Sequence, residues 1–278
     1  MGKSSSRENE MSIVYLRGGG ELASGIALRL WRCGFKVVVT ELSQPLAVRR
    51  LVSFAQAVFV GEVMIEGVKG RLADDLEDAF RLLHQGVVPV LVDPDAKTLE
   101  AFNPQVMVDA RMTKQPPDKG INSAPLVIGA GPGFIVGENC HAVVETKRGH
   151  FLGHVYWSGS AEPDTGLPEP VSNYGEERVL RAPADGVIHN CVELGSKVQA
   201  GTIVAEVNGK PITAKFSGIL RGLLHEGIYV KTGLKVGDVD PRMDERHCYY
   251  VSDKALAIGG GVLEGILSKP EFRKLVCL

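Results

Sequence analysis

The chain has 278 residues, 31 basic and 33 acidic, for a formal net charge of −2, and 44% of it is hydrophobic. That length fits two domains with sizeable cores, and the balanced charge excludes a global field that would recruit nucleic acid or an anionic membrane. Thirty-three residues are glycine, roughly 12% against a background near 7%, with no Gly-X-Y period, so the glycines need local explanations.

The chain opens on the polar stretch MGKSSSRENE, which lacks the apolar core of a signal peptide, so residues 1–11 read as a disordered tail. No later stretch approaches the roughly 18 apolar residues of a membrane span, and the expected location is the cytoplasm. Ile13 to Leu16 then reads as a strand closing on Arg17, and Glu21 to Leu30 as a helix that Gly34 stops. Lys36 to Glu41 is a second strand, whose continuous apolar run suits a parallel strand covered on both faces. Ala57 to Val60, Val87 to Val92, Val106 to Asp109 and Leu126 to Ile128 read as further strands, with a helix over Leu76 to Leu83. Pro89 lacks a ladder donor, which predicts an edge or a bulge there. The alternation predicts an α/β architecture over 12–135, a Rossmann-like doubly wound parallel sheet.

Gly18-x-Gly20-x-x-Ala23 matches the dinucleotide fingerprint and lies between a first strand and a first helix, as its mechanism requires. Gly18 makes the tight turn, Gly20 lets a pyrophosphate approach the backbone and Ala23 allows close helix packing, with Gly19 and Glu21 counted among the candidate cofactor-binding residues of the loop. Glu41 ends the second strand, where a carboxylate accepts from ribose hydroxyls and disfavours a 2′-phosphate. A tight strand-to-helix turn needs glycine with or without a ligand, so the motif alone leaves both readings open. Arg17, just before the loop, could read phosphate or merely solvate a helix, whereas Arg49 and Arg50 read as solvated.

Gly129, Gly131 and Gly133 form a second glycine loop, but Pro132 forbids a helix there, so it is a backbone loop that either lines the same crevice or merely crosses between domains. A strand from Cys140 to Thr146, a turn at Arg148-Gly149-His150 and a return strand from Phe151 to Trp157 make a hairpin and linking segment over 136–180. Cys140, His141, His150, His154, Glu162 and Asp164 fall close together but read as turn and strand residues, with no metal ligand set implied. The five cysteines, Cys33, Cys140, Cys191, Cys248 and Cys277, are scattered and read as reduced thiols.

From Arg181 the sequence repeats. Gly186-Val187-Ile188 is matched by Gly218-Ile219-Leu220, Lys197-Val198 by Tyr229-Val230, and Gly201 by Gly233, each at an offset of 32. With Ala182 to Ile188 and Gly195 to Val204, this resembles a biotinyl/lipoyl-type barrel-sandwich module over 181–241. Such modules carry a cofactor on a hairpin lysine, and Lys210 lies in the hairpin, but Pro211 follows it and Asn208-Gly209 reads simply as a type I′ turn. Residues 242–278 read as a C-terminal strand and helix packing back on the body. Ser252 caps the helix, and Gly259, Gly260 and Gly261 mark a close backbone approach.

Several motifs together resemble one family. Gly18 to Gly25, Val127 to Gly133 with Cys140 to Val143, Gly159-x-Ala161-x-x-Asp164-Thr165-Gly166-x-Pro168, Gly237-Asp238-x-Asp240-Pro241 and Ser252 to Ala255 with Gly259 to Glu264 look like the YqeB-type family. Its members are accessory proteins of selenium-dependent molybdenum hydroxylase systems, and the likeness spans residues 12 to 267. The ending of Asp109 to Lys114 departs from the family pattern. The resemblance implies a cytoplasmic maturation role with a molybdenum hydroxylase as client, and it leaves a homo-oligomer open. The glycine loop adds a nucleotide or dinucleotide, with NAD, FAD or the molybdopterin dinucleotide as candidates. The competing expectation is an NAD-dependent oxidoreductase drawing an acid–base residue from His141, His150 and Asp164.

Overall fold

The structure, a computed structural model, describes residues 13–164, 166, 171 and 174–273. The tail over 1–11 and the motif residues Thr165, Leu167 and Pro168, like Cys277, lie outside the described residues. Strand β1 (Ile13–Arg17) is buried along its whole length and runs parallel to β2 (Lys36–Glu41), with helix α1 (Glu21–Arg32) as the crossover. Side chains of β1 alternate between two cores. Val14 and Leu16 join Ile26 and Leu30 of α1, while Ile13 and Tyr15 meet the helices on the opposite face.

After β2 come two 3₁₀ turns, Arg50–Val52 and Phe54–Gln56, and then helix α2 (Ala57–Val60) where the apolar run predicts a strand. Tertiary contacts override the β propensity. The Ser24 hydroxyl accepts from the Phe54 amide at 2.9 Å and the Gly19 carbonyl from the Ala55 amide at 2.8 Å, pinning the turn from which α2 continues. Strands β3 (Glu62–Ile65) and β4 (Val68–Leu72) form a hairpin absent from the sequence reading, turned by Glu66 at φ 45° and Gly67 at φ 84°. Helix α3 (Leu76–His84) starts at Asp75, whose carboxylate accepts from the Asp78 amide at 2.8 Å. Strand β5 (Val88–Val92), helix α4 (Leu99–Phe102), and strands β6 (Val106–Asp109), β7 (Leu126–Ala130), β8 (Ala142–Val144) and β9 (Val155–Tyr156) complete this part.

These strands form one sheet of nine in the order β3-β4-β5-β2-β1-β6-β7-β8-β9. The sheet corrects the expected doubly wound parallel architecture. It is mixed, with antiparallel pairs at both margins, β3 on β4 and β8 on β9. Helices also fail to alternate throughout: β6 reaches β7 through a segment holding Pro116, Pro117 and only the 3₁₀ turn Ile121–Ser123, and Pro132 interrupts the passage to β8. Pro89 sits inside the sheet rather than at its edge. The pairing of β5 with β2 begins only at Val90, so Pro89 precedes that ladder.

The remaining strands are β10 (Val179–Arg181), β11 (Gly186–Asn190), β12 (Lys197–Val198), β13 (Ile203–Val207), β14 (Lys210–Thr213), β15 (Gly218–Leu223), β16 (Tyr229–Val230) and β17 (Lys235–Asp240). They make two four-stranded antiparallel sheets, β10-β17-β15-β12 and β14-β13-β11-β16, rather than the expected barrel-sandwich module beside a Rossmann domain. Strands β15, β16 and β17 begin 32 residues after β11, β12 and β13. The copies interlock because β12 and β16 are two residues long and each pairs with a strand of the other copy. Ile188, Val204, Leu220 and Val236 fill the core between the sheets. Asn208 at φ 51° and Gly209 at φ 70° turn the β13–β14 hairpin, placing Lys210 in register with Val207.

Helix α5 (Arg246–Tyr249) leads into α6 (Asp253–Leu267), one continuous helix capped by Ser252, and then α7 (Pro270–Arg273). Helix α6 packs on α1 and covers β7, β8 and β9, the face left bare by the missing crossover helices. No helix among the described residues is long and apolar enough to cross a membrane.

Candidate functional site at the C-terminal edge of the sheet

Five of the parallel strands close on an ionisable residue: Arg17, Glu41, Asp93, Asp109 and Glu145 stand at, or one position beyond, the C-terminal ends of β1, β2, β5, β6 and β8. Arg17, Asp93, Asp109 and Glu145 are buried. Sequence reasoning singles out Glu41 but not the row as a whole. Its signal is the repeated charged ending of an apolar run, as in IVYLR, KVVVTE and VMVD.

Each buried carboxylate holds the loop that follows it. Asp93 accepts from the Lys97 amide at 2.9 Å, the Thr98 amide at 2.8 Å and the Tyr15 hydroxyl at 3.1 Å. Burial alone would raise its pKa, yet the Thr98 and Lys97 donors together hold it below the ordinary value. Glu145 accepts from the amides of Thr146 at 2.7 Å, Lys147 at 2.8 Å and Glu162 at 2.8 Å. Arg17 donates to Asp118 at 2.7 and 3.0 Å, to Asp109 at 3.4 Å and to the Pro94 carbonyl at 2.8 Å. Arg111 shares both aspartates, at 2.6 Å from Asp109 and 2.5 Å from Asp118.

The glycine loop lies beside this row. Gly18, at φ 97°, donates to the Thr40 carbonyl at 2.8 Å, and a Cβ there would sit 3.1 Å from the Ala110 carbonyl oxygen. Gly19 is fully used: its amide donates to Glu41 Oε2 at 2.8 Å, and a Cβ would meet the Ala55 nitrogen at 2.8 Å. Gly20 differs. It caps α1 at φ −66° with no capping side chain, and nothing lies within 4 Å of where a Cβ would point. The first-turn amides of α1 therefore have neither an intrahelical nor a side-chain acceptor at the cap, and they carry the positive end of the helix dipole. Ala23 is buried in the helix packing, as expected.

Two expected ligand contacts are already taken. Glu41, expected at the ribose hydroxyls, spends both oxygens on the Gly19 and Leu42 amides at 2.8 Å each. Burial raises its pKa above the ordinary carboxylate value, against the pull of those two amides. Glu21 accepts from Arg49 at 2.9 Å and from the Ser252 amide at 3.2 Å. Arg49 is thus not solvated but 8% exposed, with a second nitrogen on the His247 carbonyl at 2.6 Å. Arg50 donates to the Leu223 carbonyl at 2.7 Å.

The second glycine loop is packed by its own neighbours. A Cβ at Gly129 would enter the Phe134 ring, one at Gly131 would meet the Thr146 hydroxyl at 2.5 Å, and one at Gly133 the Gln115 carbonyl at 2.6 Å. Gly131 and Gly133 also have φ of 79° and 104°, so turn geometry and packing account for all three. His141 precedes β8, at the opposite edge of the sheet from Gly18 to Gly20, and its Nδ1 accepts from the Val127 amide at 2.9 Å. Asp164 pairs with Lys114 at 2.6 Å and Glu162 with Lys147 at 2.5 Å. His150 and His154 meet the Phe151 ring edge-on, with ring centroids 5.0 and 6.2 Å away. Burial pushes the Cys140 thiol up to about 11. Among the described residues, no group of three or more His, Cys, Asp or Glu side chains is placed to hold a metal ion.

No protein-family model matches the chain. Over 255 residues, 92% of its length, it is 46% identical to the uncharacterized protein YqeB of Escherichia coli (strain K12). Over that stretch the chain is similar to YqeB. It spans about half the length of that relative, 47%. Among solved structures, the ectoine utilization protein EutE (DoeB) of Ruegeria pomeroyi in its product-bound form is similar at 12% identity, over 82% of this chain and 57% of that one, with a TM-score of 0.23. An aspartoacylase family protein of Mesorhizobium loti is similar at 11% identity, over 82% of this chain and 84% of that one, with a TM-score of 0.26. At TM-scores this low, neither likeness informs the arrangement or the chemistry of this chain.

Proposed function

We propose that this chain is a cytoplasmic accessory protein in the maturation of a selenium-dependent molybdenum hydroxylase, and that it takes a nucleotide or dinucleotide by its phosphates at the N-terminus of α1. The maturation role rests on the motif resemblance over residues 12 to 267, and the likeness to the uncharacterized YqeB supports the resemblance to that family, not the role. The open, uncapped Gly20 carries the ligand reading, because a phosphate is the kind of acceptor that such amides favour. NAD, FAD and the molybdopterin dinucleotide all offer one. Glu41 is committed to the loop itself, so it sets the shape of the phosphate cradle instead of reading the sugar. The two antiparallel sheets are the surface assigned to the client enzyme. A nicotinamide oxidoreductase has less support, since His141 lies at the far edge of the sheet and Asp164 is paired with Lys114.

The test is titration of the purified protein with NAD, FAD, ATP, CTP and molybdopterin dinucleotide, repeated on Gly20→Asp. The new carboxylate accepts from the first-turn amides, leaving stability unchanged or a few tenths of a kcal/mol higher. At least one of these ligands binds the wild type and is lost in the variant. Binding by none of them, or equal binding by both proteins, overturns the proposal.

A further inference from the structure

Between β1 and β6 the strand connections diverge, and ligands of open α/β sheets gather outside the C-terminal strand ends at such a point. Here two guanidiniums converge there. Arg17 is fully buried, its Nε has no partner, and its Nη atoms face Asp109 and Asp118. Arg111 reaches the same two carboxylates. Asp109 is buried and belongs to β6, so it is a fixed part of the wall, and it offsets one of the two positive charges. The second negative charge comes from elsewhere. Asp118 sits on the irregular stretch between β6 and the Ile121–Ser123 turn, with its side chain 49% exposed. It presents two oxygens to Arg17 at 2.7 and 3.0 Å, the fork a ligand oxyanion would present. A buried guanidinium without an anion is costly, so this site calls for one whether or not the loop supplies it.

We propose that Arg17 and Arg111 form a binding site for a compact oxyanion, a phosphate or carboxylate group of a ligand, and that Asp118 occupies it until the ligand displaces that side chain. By alternation along β1, Arg17 shares the face of Ile13 and Tyr15, opposite the one that packs on α1.

The experiment titrates inorganic phosphate into wild type, Asp118→Ala and Asp118→Asn at constant ionic strength set with chloride. Calorimetry and the phosphate dependence of Tm are the readouts. Loss of the internal carboxylate tightens phosphate binding at least tenfold, and adding Arg111→Gln removes that gain. Gly20→Asp leaves the phosphate response intact, which separates this site from the nucleotide reading. Acetate run in parallel tells carboxylate from phosphate, and tighter binding of either supports the proposal. Equal affinities in wild type and both Asp118 variants, or a gain that survives Arg111→Gln, overturns it. If the Asp118 variants fold poorly, phosphate restores their Tm towards wild type, and failure to do so also overturns it.

Discussion

Charged side chains do structural work at several strand ends in this protein. Asp240 closes β17 and is buried, with Arg242 at 2.6 Å and Arg221 at 3.1 Å. Burial alone would raise its pKa, but Arg242, through side chain and amide, and Arg221 outweigh that and hold it at about 2. A carboxylate whose pKa is depressed by folding stabilises the native state above its unfolded value and loses that contribution as pH falls through the folded value. The stabilisation is on the order of 2 kcal/mol at neutral pH, and it fades between roughly pH 4 and pH 2. Asp240→Asn is therefore expected to cost at least that much at pH 7 and far less at pH 2.5, measured by urea denaturation across the range. Equal costs at the two pH values would sink the assignment. Such endings were visible in the sequence as an ionisable residue closing an apolar run. What answers each charge was not, because Asp118 meets Arg17 across 101 positions and only the folded loop brings them together.

Elements show the same division between local and tertiary information. Where burial and period agree, as in β1, α1, β2 and α3, the pattern suffices. The run Ala57–Val60 has strand-forming residues but becomes helix because the turn before it is tied to α1. The antiparallel margins of the sheet rest on pairing partners that periodicity does not name. Glycines at the α1–α6 crossing were legible as a close approach, and the contact can be dissected. A Cβ at Gly259 would lie 2.7 Å from the Gly25 carbonyl oxygen, and one at Gly25 2.7 Å from that of Ala255. Gly260, between Gly259 and Gly261 in the same helix, meets nothing within 4 Å. Gly259→Ala is expected to destabilise by about 1–3 kcal/mol through overpacking against backbone. Gly260→Ala is expected to stabilise by about 0.5–1 kcal/mol through helix propensity alone. Opposite signs in chemical denaturation confirm the crossing, and matching signs contradict it.

At the scale of the molecule, the short stretch Val48 to Arg50 joins the nine-stranded sheet, the antiparallel sheets and the C-terminal segment. Val48 accepts from the Leu223 amide at 2.9 Å and its side chain fills the space over Gly222, while Arg50 holds the Leu223 carbonyl. Arg49, between them, pairs with Glu21 at the start of α1 and donates to the His247 and Tyr250 carbonyls. One guanidinium thus ties the helix that carries the glycine loop to the segment that leads into α6. Removing it leaves Glu21 without its cation in a site where that carboxylate is 17% exposed. Arg49→Met is accordingly expected to cost about 3 kcal/mol. Glu21→Gln together with Arg49→Met should cost less than the sum of the single changes by at least 1 kcal/mol, the mark of direct coupling. Hydrogen exchange locates the effect: amides of residues 247–252 should lose protection in Arg49→Met, while those of β1 and β6, which Arg49 does not touch, keep theirs. Uniform loss of protection across the sheet would instead mean that Arg49 supports global stability and does not pin the C-terminal segment to the head of α1.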